Sequence, residues 1–221
     1  MATRSYGSGS GMYRFSVVIP AHNEEAYLGD CLASVKAQTF TDVQVLVVCD
    51  SCTDSTAEIA RSFGLNPIEV MAGSLARARN AGMNECEGDY ILFLDADDYY
   101  LTKDALLLLD LWLQRSPVDI LAFGFMLGNR LARPIRGAGG SWWPNVWSKA
   151  WRSSRFGYER FGNVLTAEDV EWNERVLRES DTVGFLDIPL IQYRYPRDGS
   201  ITARVMAGEW EWGAVDPRGA A

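Results

Sequence analysis

The sequence predicts an α/β fold: one domain on a Rossmann-like, mostly parallel central sheet flanked by helices. Three observations predict it. Short apolar runs alternate with helix-like stretches from residue 15 onward, and such alternation builds parallel sheets with crossover helices. Polar segments directly follow three of those runs, at 20–24, 50–54 and 95–98, where open α/β sheets bind ligands. The length of 221 residues suits a single substantial domain.

Taken in order, residues 15–19 read as the first strand. Residues 24–37 read as a helix, with Leu28, Cys31, Leu32 and Val35 on one face. Residues 43–49 are the second strand. Thr53 or Ser55 is positioned to cap a helix running to about Phe63. A short third strand is expected at 66–70, a helix at 74–86 and a fourth strand at 90–94. A leucine-rich helix at 103–114 and a strand at 118–123 follow. Regularity then fails, and Gly137, Gly139 and Gly140 suggest a mobile loop. A helix at 166–178 and an extended stretch at 183–193 complete the pattern. Residues 1–12 are expected to be a flexible leader, 13–202 the domain and 203–221 a tail, in which Trp210 and Trp212 pack back or face a partner.

The net charge of −8 argues against a nucleic-acid-binding surface. No apolar run approaches the ~20 residues needed to span a bilayer. The N-terminus lacks the layout of a secretion signal. A cytoplasmic protein is expected, with peripheral association at the inner membrane face left open. Cys49 and Cys52 form a C-x-x-C, but Cys31 and Cys86 supply no second pair and His22 is the only histidine. Reduced thiols are therefore expected rather than zinc or a redox centre.

The densest chemical signal is Ile91-Leu92-Phe93-Leu94-Asp95-Ala96-Asp97-Asp98. In extended chain, side chains at i and i+2 point the same way. Asp95 and Asp97 can thus share one site, which suits a hard divalent cation held by a few carboxylates and substrate phosphates. A solvated acidic loop is the plainer alternative. Asn23, Thr53 and Asp54 can each be only a helix cap.

Several segments stand in a definite order. They are Val17-Val18-Ile19-Pro20-Ala21-His22-Asn23-Glu24, Gln38-Thr39-Phe40, Asp50-Ser51-Cys52-Thr53-Asp54, Ala78-Arg79-Asn80-Ala81-Gly82 and Phe93 through Asp98. Val146-Trp147-Ser148-Lys149, Glu168-Asp169-Val170-Glu171-Trp172-Asn173 and Tyr193-Arg194 through Gly199-Ser200-Ile201-Thr202 continue the series. This ordered set resembles family 2 glycosyltransferases, which have the GT-A fold. The chain departs from the family at Cys49, where a first acid is common, and at Ser51 and Cys52, where the family has Gly and Ser. It also lacks a clear Gln-x-x-Arg-Trp signature of processive synthases, since Gln192-Tyr193-Arg194-Tyr195 does not match it.

The resemblance implies an inverting, non-processive transferase that uses a nucleotide-sugar donor, Mn²⁺ or Mg²⁺, and a saccharide, lipid-linked or protein acceptor. Pro20, Ala21, His22, Glu24 and Asp50 would line the base and ribose pocket. An acid there can accept from the imide N–H of uracil, which favours UDP. Arg79 would help there or at the diphosphate, unless it is a surface cation. Asp95 and Ala96 would face the ribose and the metal's water shell, and Asp97 would bind the metal. Asp98 would support the turn. Asp169 would be the general base, although Thr166-Ala167-Glu168-Asp169 also reads as a helix cap. Trp142, Trp143, Trp147 and Trp151 border the acceptor or anchor the core. Lys149 and Arg194 would close over the phosphates, with Glu168 beside them. Two alternatives remain: an impaired glycan- or nucleotide-sugar-binding protein of the same fold, and a nucleotidyltransferase. The latter is disfavoured because residues 20–24 are neither Gly-rich nor basic.

Overall fold

A computed structural model describes residues 11–133, 145–162 and 168–194, together with Ala207. The readings made for the leader before Gly11, the 137–140 glycines, Trp142, Trp143, Thr166, Tyr195, the segment 199–202 and the tail tryptophans lie outside the described residues.

The amino-terminal half follows the predicted alternation. Strands β1 (Tyr13–Ala21), β2 (Val43–Asp50), β3 (Ile68–Val70) and β4 (Gly88–Phe93) are joined by α1 (Leu28–Lys36), α2 (Thr56–Ser62) and α3 (Leu75–Asn84). The strands are parallel in the order β3-β2-β1-β4. Direction of winding reverses between β1 and β4, so a crevice opens at their carboxyl ends. β4 is buried throughout, which is why its part from Tyr90 onward reads as an apolar run, while its Asp89 is paired with Arg14. Pro20 is tolerated in β1 because pairing with β4 ends at Val18–Phe93. α3 lies directly on β1 and β2. A Cβ on Gly82 would meet Val18 Cγ1 at 2.4 Å, so only glycine permits this approach. α1 starts later than predicted, because residues 24–27 form a turn in which Leu28 N–H donates to the Glu24 carbonyl.

The second half contains β5 (Tyr99–Tyr100), α4 (Ala105–Arg115), β6 (Ile120–Leu127), β7 (Arg130–Ala132), β8 (Lys149–Arg152), α5 (Ser153–Phe156), α6 (Glu168–Glu179) and β9 (Val183–Tyr193). Here parallel pairing gives way to a mixed sheet. β8 inserts antiparallel between β4 and β6, β9 runs parallel to β6, and β5 runs antiparallel to β9. β6 and β7 are joined by Gly128-Asn129 alone, with Gly128 at φ 56, and so short a link permits only an antiparallel hairpin. β5, β7, β8 and α5 went unread in the sequence because each is four residues or fewer, too short to show a period.

One apolar core runs through both halves. Beneath α6, Trp172 stacks on Phe161 at 4.7 Å and meets Trp151 edge-on at 4.6 Å. Two buried polar contacts tie the halves together. Arg14 on β1 reaches Asp110 on α4 at 2.8 Å and Asp89 on β4 at 3.4 Å. Gln38 donates to the Thr102 carbonyl and accepts from Leu106 N–H, pinning α1 to the start of α4. Among the described residues, no helix is long and apolar enough to cross a membrane.

Candidate active site at the carboxyl ends of the strands

The acid segment leaves β4 as its alternation requires. Asp95 and Asp97 are partly exposed on one side, while Ala96 and Asp98 are buried on the other. Asp98 N–H donates to the Asp95 carbonyl at 2.9 Å, closing the turn. Asp98 accepts from Arg194 N–H at 2.8 Å, and its second oxygen is buried with no partner among the described residues. Burial, then the charges of Asp97 and Asp95, push the Asp98 carboxyl well above the usual carboxylate range.

Asp50, at the end of β2, is 4% exposed. Its Oδ1 accepts from Ala72 N–H, Gly73 N–H and Ser51 Oγ, and its Oδ2 accepts from Ser74 N–H. The carboxylate thus organises the loop that leads into α3. The resemblance implied a place against the nucleotide base, and this occupation was not foreseen because the three backbone donors lie more than twenty residues away. Ser51, in the family's glycine position, holds φ 53, so the tight turn persists without glycine. Asn23 holds φ 54 and accepts from Thr53 N–H at 2.8 Å, and Asp54 accepts from Thr56 N–H at 3.0 Å. Both act as turn and helix-start acceptors.

His22 is exposed, and its Nδ1–H donates to the Asp50 carbonyl at 2.6 Å. That bond leaves Nε2 as the acceptor of the neutral ring. Pro20 and Ala21 are buried in the end of β1, and Glu24 N–H donates to Thr56 Oγ1. All four cysteines are free, and burial followed by the neighbouring Cys52 pushes the Cys49 thiol up to about 12, opposite to an activated thiol.

Arg79 is not a surface cation. It is 2% exposed. Nη2 donates to Asp95 Oδ1 at 2.9 Å and Nη1 to Glu168 Oε1. Asp95 and Glu168 raise its pKa against the opposing effect of burial, which is the largest single influence. Glu168 opens α6 and is itself buried. Its neighbour Asp169 is partly buried, and desolvation, reinforced by Glu168, pushes its carboxyl up to about 7. Arg79 and Lys149 oppose that rise. Lys149 is 1% exposed on β8, donates to the Asn145 carbonyl at 2.6 Å, and is lowered to about 7 by burial. Asp95, Glu168, Asp169, Arg79 and Lys149 therefore form one electrostatic group that spans both halves of the fold.

The sequence profile described as glycosyl transferase family 2 matches residues 16–163. The chain belongs to this family. Glycosyltransferase GlyA of Streptococcus pneumoniae is 27% identical over 92% of this chain and 33% of its own length. The poly(ribitol-phosphate) beta-N-acetylglucosaminyltransferase TarS of Staphylococcus aureus is 34% identical over 43% of this chain and 18% of its own. The chain spans well under two thirds of these relatives. The crystal structure of S. aureus TarS 1–349 in complex with UDP-GlcNAc superposes with a TM-score of 0.75 at 22% identity, covering 86% of this chain and 60% of that one. The mannosyltransferase PcManGT from Pyrobaculum calidifontis, in complex with GDP-Man and Mn²⁺, gives 0.71 at 16% identity, covering 91% and 62%. The fold is GT-A, as the resemblance implied.

Within this family 2 domain, Trp147 and Trp151 take one of the two places expected for them, and Lys149 leaves its expected place. Trp147 is buried, stacked on Tyr193 at 4.9 Å and edge-on to Phe125 at 4.6 Å, and Trp151 is fully buried. Both are core anchors, not sugar platforms. Lys149 is enclosed on β8 rather than open at the surface. Arg194 remains near the acid turn, lying over Tyr27 at 4.9 Å and Tyr99 at 5.3 Å and reaching Asp30 at 3.2 Å. Among the described residues, no three His, Cys, Asp or Glu side chains form a metal site by themselves. The donor chemistry nevertheless fits a divalent cation completed by substrate phosphates. Hard carboxylate oxygens gather at one turn, and the orphaned Asp98 oxygen lies behind them.

Proposed function

We propose that this chain transfers a sugar from a nucleotide donor, UDP-linked, to an acceptor hydroxyl, with inversion and without processive extension. The observation that carries the reading is Asp169. It stands at the start of α6, electrostatically coupled to the β4 acid turn, with a carboxyl raised to about 7. A general base works best with a pKa near the operating pH.

In this mechanism Asp169 takes the proton of the acceptor hydroxyl as its oxygen attacks the anomeric carbon. The bond from that carbon to the diphosphate oxygen breaks, and its electron pair leaves with the nucleotide. One base and, among the described residues, no carboxylate assigned as a nucleophile make a single displacement, which inverts the centre. Asp97, with Asp95, would hold Mn²⁺ or Mg²⁺, which neutralises charge on the departing diphosphate. Arg194 adds a cation at the rim of the same turn. Pro20, Ala21, Glu24 and Ala96 shape the base and ribose pocket.

A uridine donor is supported by relatives of this fold whose structures contain UDP or UDP-GlcNAc. With both Asp50 oxygens engaged, we assign acceptance of the uracil imide N–H to His22 Nε2, the ring nitrogen left free to accept. Acceptors are hydroxyls of saccharides, lipid-linked saccharides or proteins. Four free thiols suit a reducing, cytoplasmic setting.

The test incubates the protein with UDP-GlcNAc, UDP-glucose or GDP-mannose, with Mn²⁺ or with EDTA. With water as the acceptor, nucleotide release and the anomeric coupling of the freed sugar are read by NMR at early times, before mutarotation. The expected result is Mn²⁺-dependent release from a UDP-sugar, with α converted to β. Retention of configuration, or undiminished release in EDTA, contradicts the proposal.

A further inference from the structure

Arg79 and Asn80 sit side by side on α3, and together they reach the acid turn after β4 and the opposite half of the fold. Arg79 is fully enclosed and uses its two terminal nitrogens on two carboxylates, Asp95 after β4 and Glu168 at the start of α6. Its guanidinium lies over Phe93 at 6.0 Å and Phe161 at 5.5 Å. Asn80 grips the Phe161 backbone in both directions, donating to its carbonyl at 3.0 Å and accepting from its N–H at 2.9 Å. Phe161 in turn stacks on Trp172 of α6. Two independent routes thus run from α3 to α6, one ionic and one through stacked rings.

We propose that Arg79 and Asn80 are positioning residues that fix the start of α6, and so the Asp169 carboxyl, against the β4 acid turn. This rests on the reading of Asp169 as base and adds what holds it in place. An arginine is required because its planar fork reaches two carboxylates at once, whereas an ammonium group is a single point charge. Burial makes the link stiff, since neither carboxylate can leave without stranding an enclosed charge. Gly82 belongs to the same device. It lets α3 lie close on β1 and β2, which sets how deep Arg79 reaches.

The test uses Arg79→Lys, Asp169→Asn and their double variant in the full chain, with hydrogen exchange measured without nucleotide or metal. Misplacing a catalytic group by about 1 Å costs roughly 10²-fold. Arg79→Lys is therefore expected to lower kcat by that order while KM for the donor changes far less. Because Arg79 acts through Asp169, the double variant should be no slower than Asp169→Asn alone. Exchange at residues 168–172 should quicken in Arg79→Lys while exchange in β1 and β2 stays as in the wild type. Should Arg79→Lys fail to fold, Asn80→Ala replaces it, with the same pattern expected at smaller size. Multiplying effects in the double variant, or unchanged exchange at 168–172, overturns the proposal. If Asp169→Asn keeps full turnover, the base assignment is what fails, and the exchange result alone then decides whether the pin exists.

Discussion

The two halves of this sheet are organised by different rules, and the difference locates the chemistry. From β1 to β4 the chain is parallel and regularly wound, so its polar strand ends gather in one crevice. From β5 to β9 pairing is mixed and the elements are short. The first half presents preformed backbone geometry. The Asp50 carboxylate orders three successive amides, and Ser51 and Asn23 hold left-handed turns. The second half presents charged side chains whose states depend on burial, with Asp169 and Lys149 both moved to about 7. A rigid scaffold thus faces a titratable one, and the acid turn lies between them.

The sharpest way to break this comparison is at the boundary. Asp97→Asn keeps the size of the side chain and removes a charge from a partly exposed position. It should cost ~10²-fold or more in Mn²⁺-dependent turnover, the order expected when transition-state charge stabilisation is lost, with little change in melting temperature. Metal-independent UDP binding measured by calorimetry, with turnover intact, would remove the metal from the account.

Within the rigid half the expected effects concern stability. Asp50→Ala strands the amides of Ala72, Gly73 and Ser74, each of which now has a charged acceptor. It should lower unfolding free energy by about 1–3 kcal/mol and weaken UDP binding through the disordered loop, both visible in urea titrations run with and without UDP. A variant of wild-type stability that binds UDP weakly would instead make Asp50 a direct base contact.

The smallest effect is at Ser51. A side chain at φ 53 carries the left-handed penalty that glycine avoids. Ser51→Gly should raise stability by up to about 1 kcal/mol, read as a higher urea midpoint. A lower midpoint would mean that the Ser51 hydroxyl bond to Asp50 outweighs the backbone strain.

The same contrast explains what could be read from the sequence. β1, β2, β4 and the paired acids were legible because burial and alternation follow directly from residue order. β9 was legible too, as an extended stretch over residues 183–193. The burial of Arg79 was not. Its nearest carboxylate partners lie sixteen and eighty-nine residues away, and an arginine amid alanines on a helix looks solvent-facing. The Arg14–Asp110 pair, ninety-six residues apart, was hidden for the same reason. Lys149 was expected over the phosphates, and Trp147 was left between the acceptor and the core, because charge and aromatic content alone carry no burial signal. Ser51 shows the converse: it departs from the family's glycine, yet the left-handed turn is held at a residue that does not favour it.

The most direct test of the central claim is Asp169→Asn, followed by turnover across pH and by melting at pH 8. In the wild type, activity should rise as pH rises through about 7, because only the ionised carboxylate accepts the acceptor's proton. A raised carboxyl pKa also means that the fold holds a proton between pH 3.8 and about 7 that the unfolded chain has released. Its contribution to stability is present at low pH and is lost as pH rises through the folded value. Asp169→Asn should therefore lose ~10²-fold or more in turnover, lose the pH limb, and melt at pH 8 at or above the wild-type temperature with UDP affinity unchanged. A variant that melts lower, as loss of a helix cap would require, while turning over normally per folded molecule would contradict the assignment of Asp169 as the base.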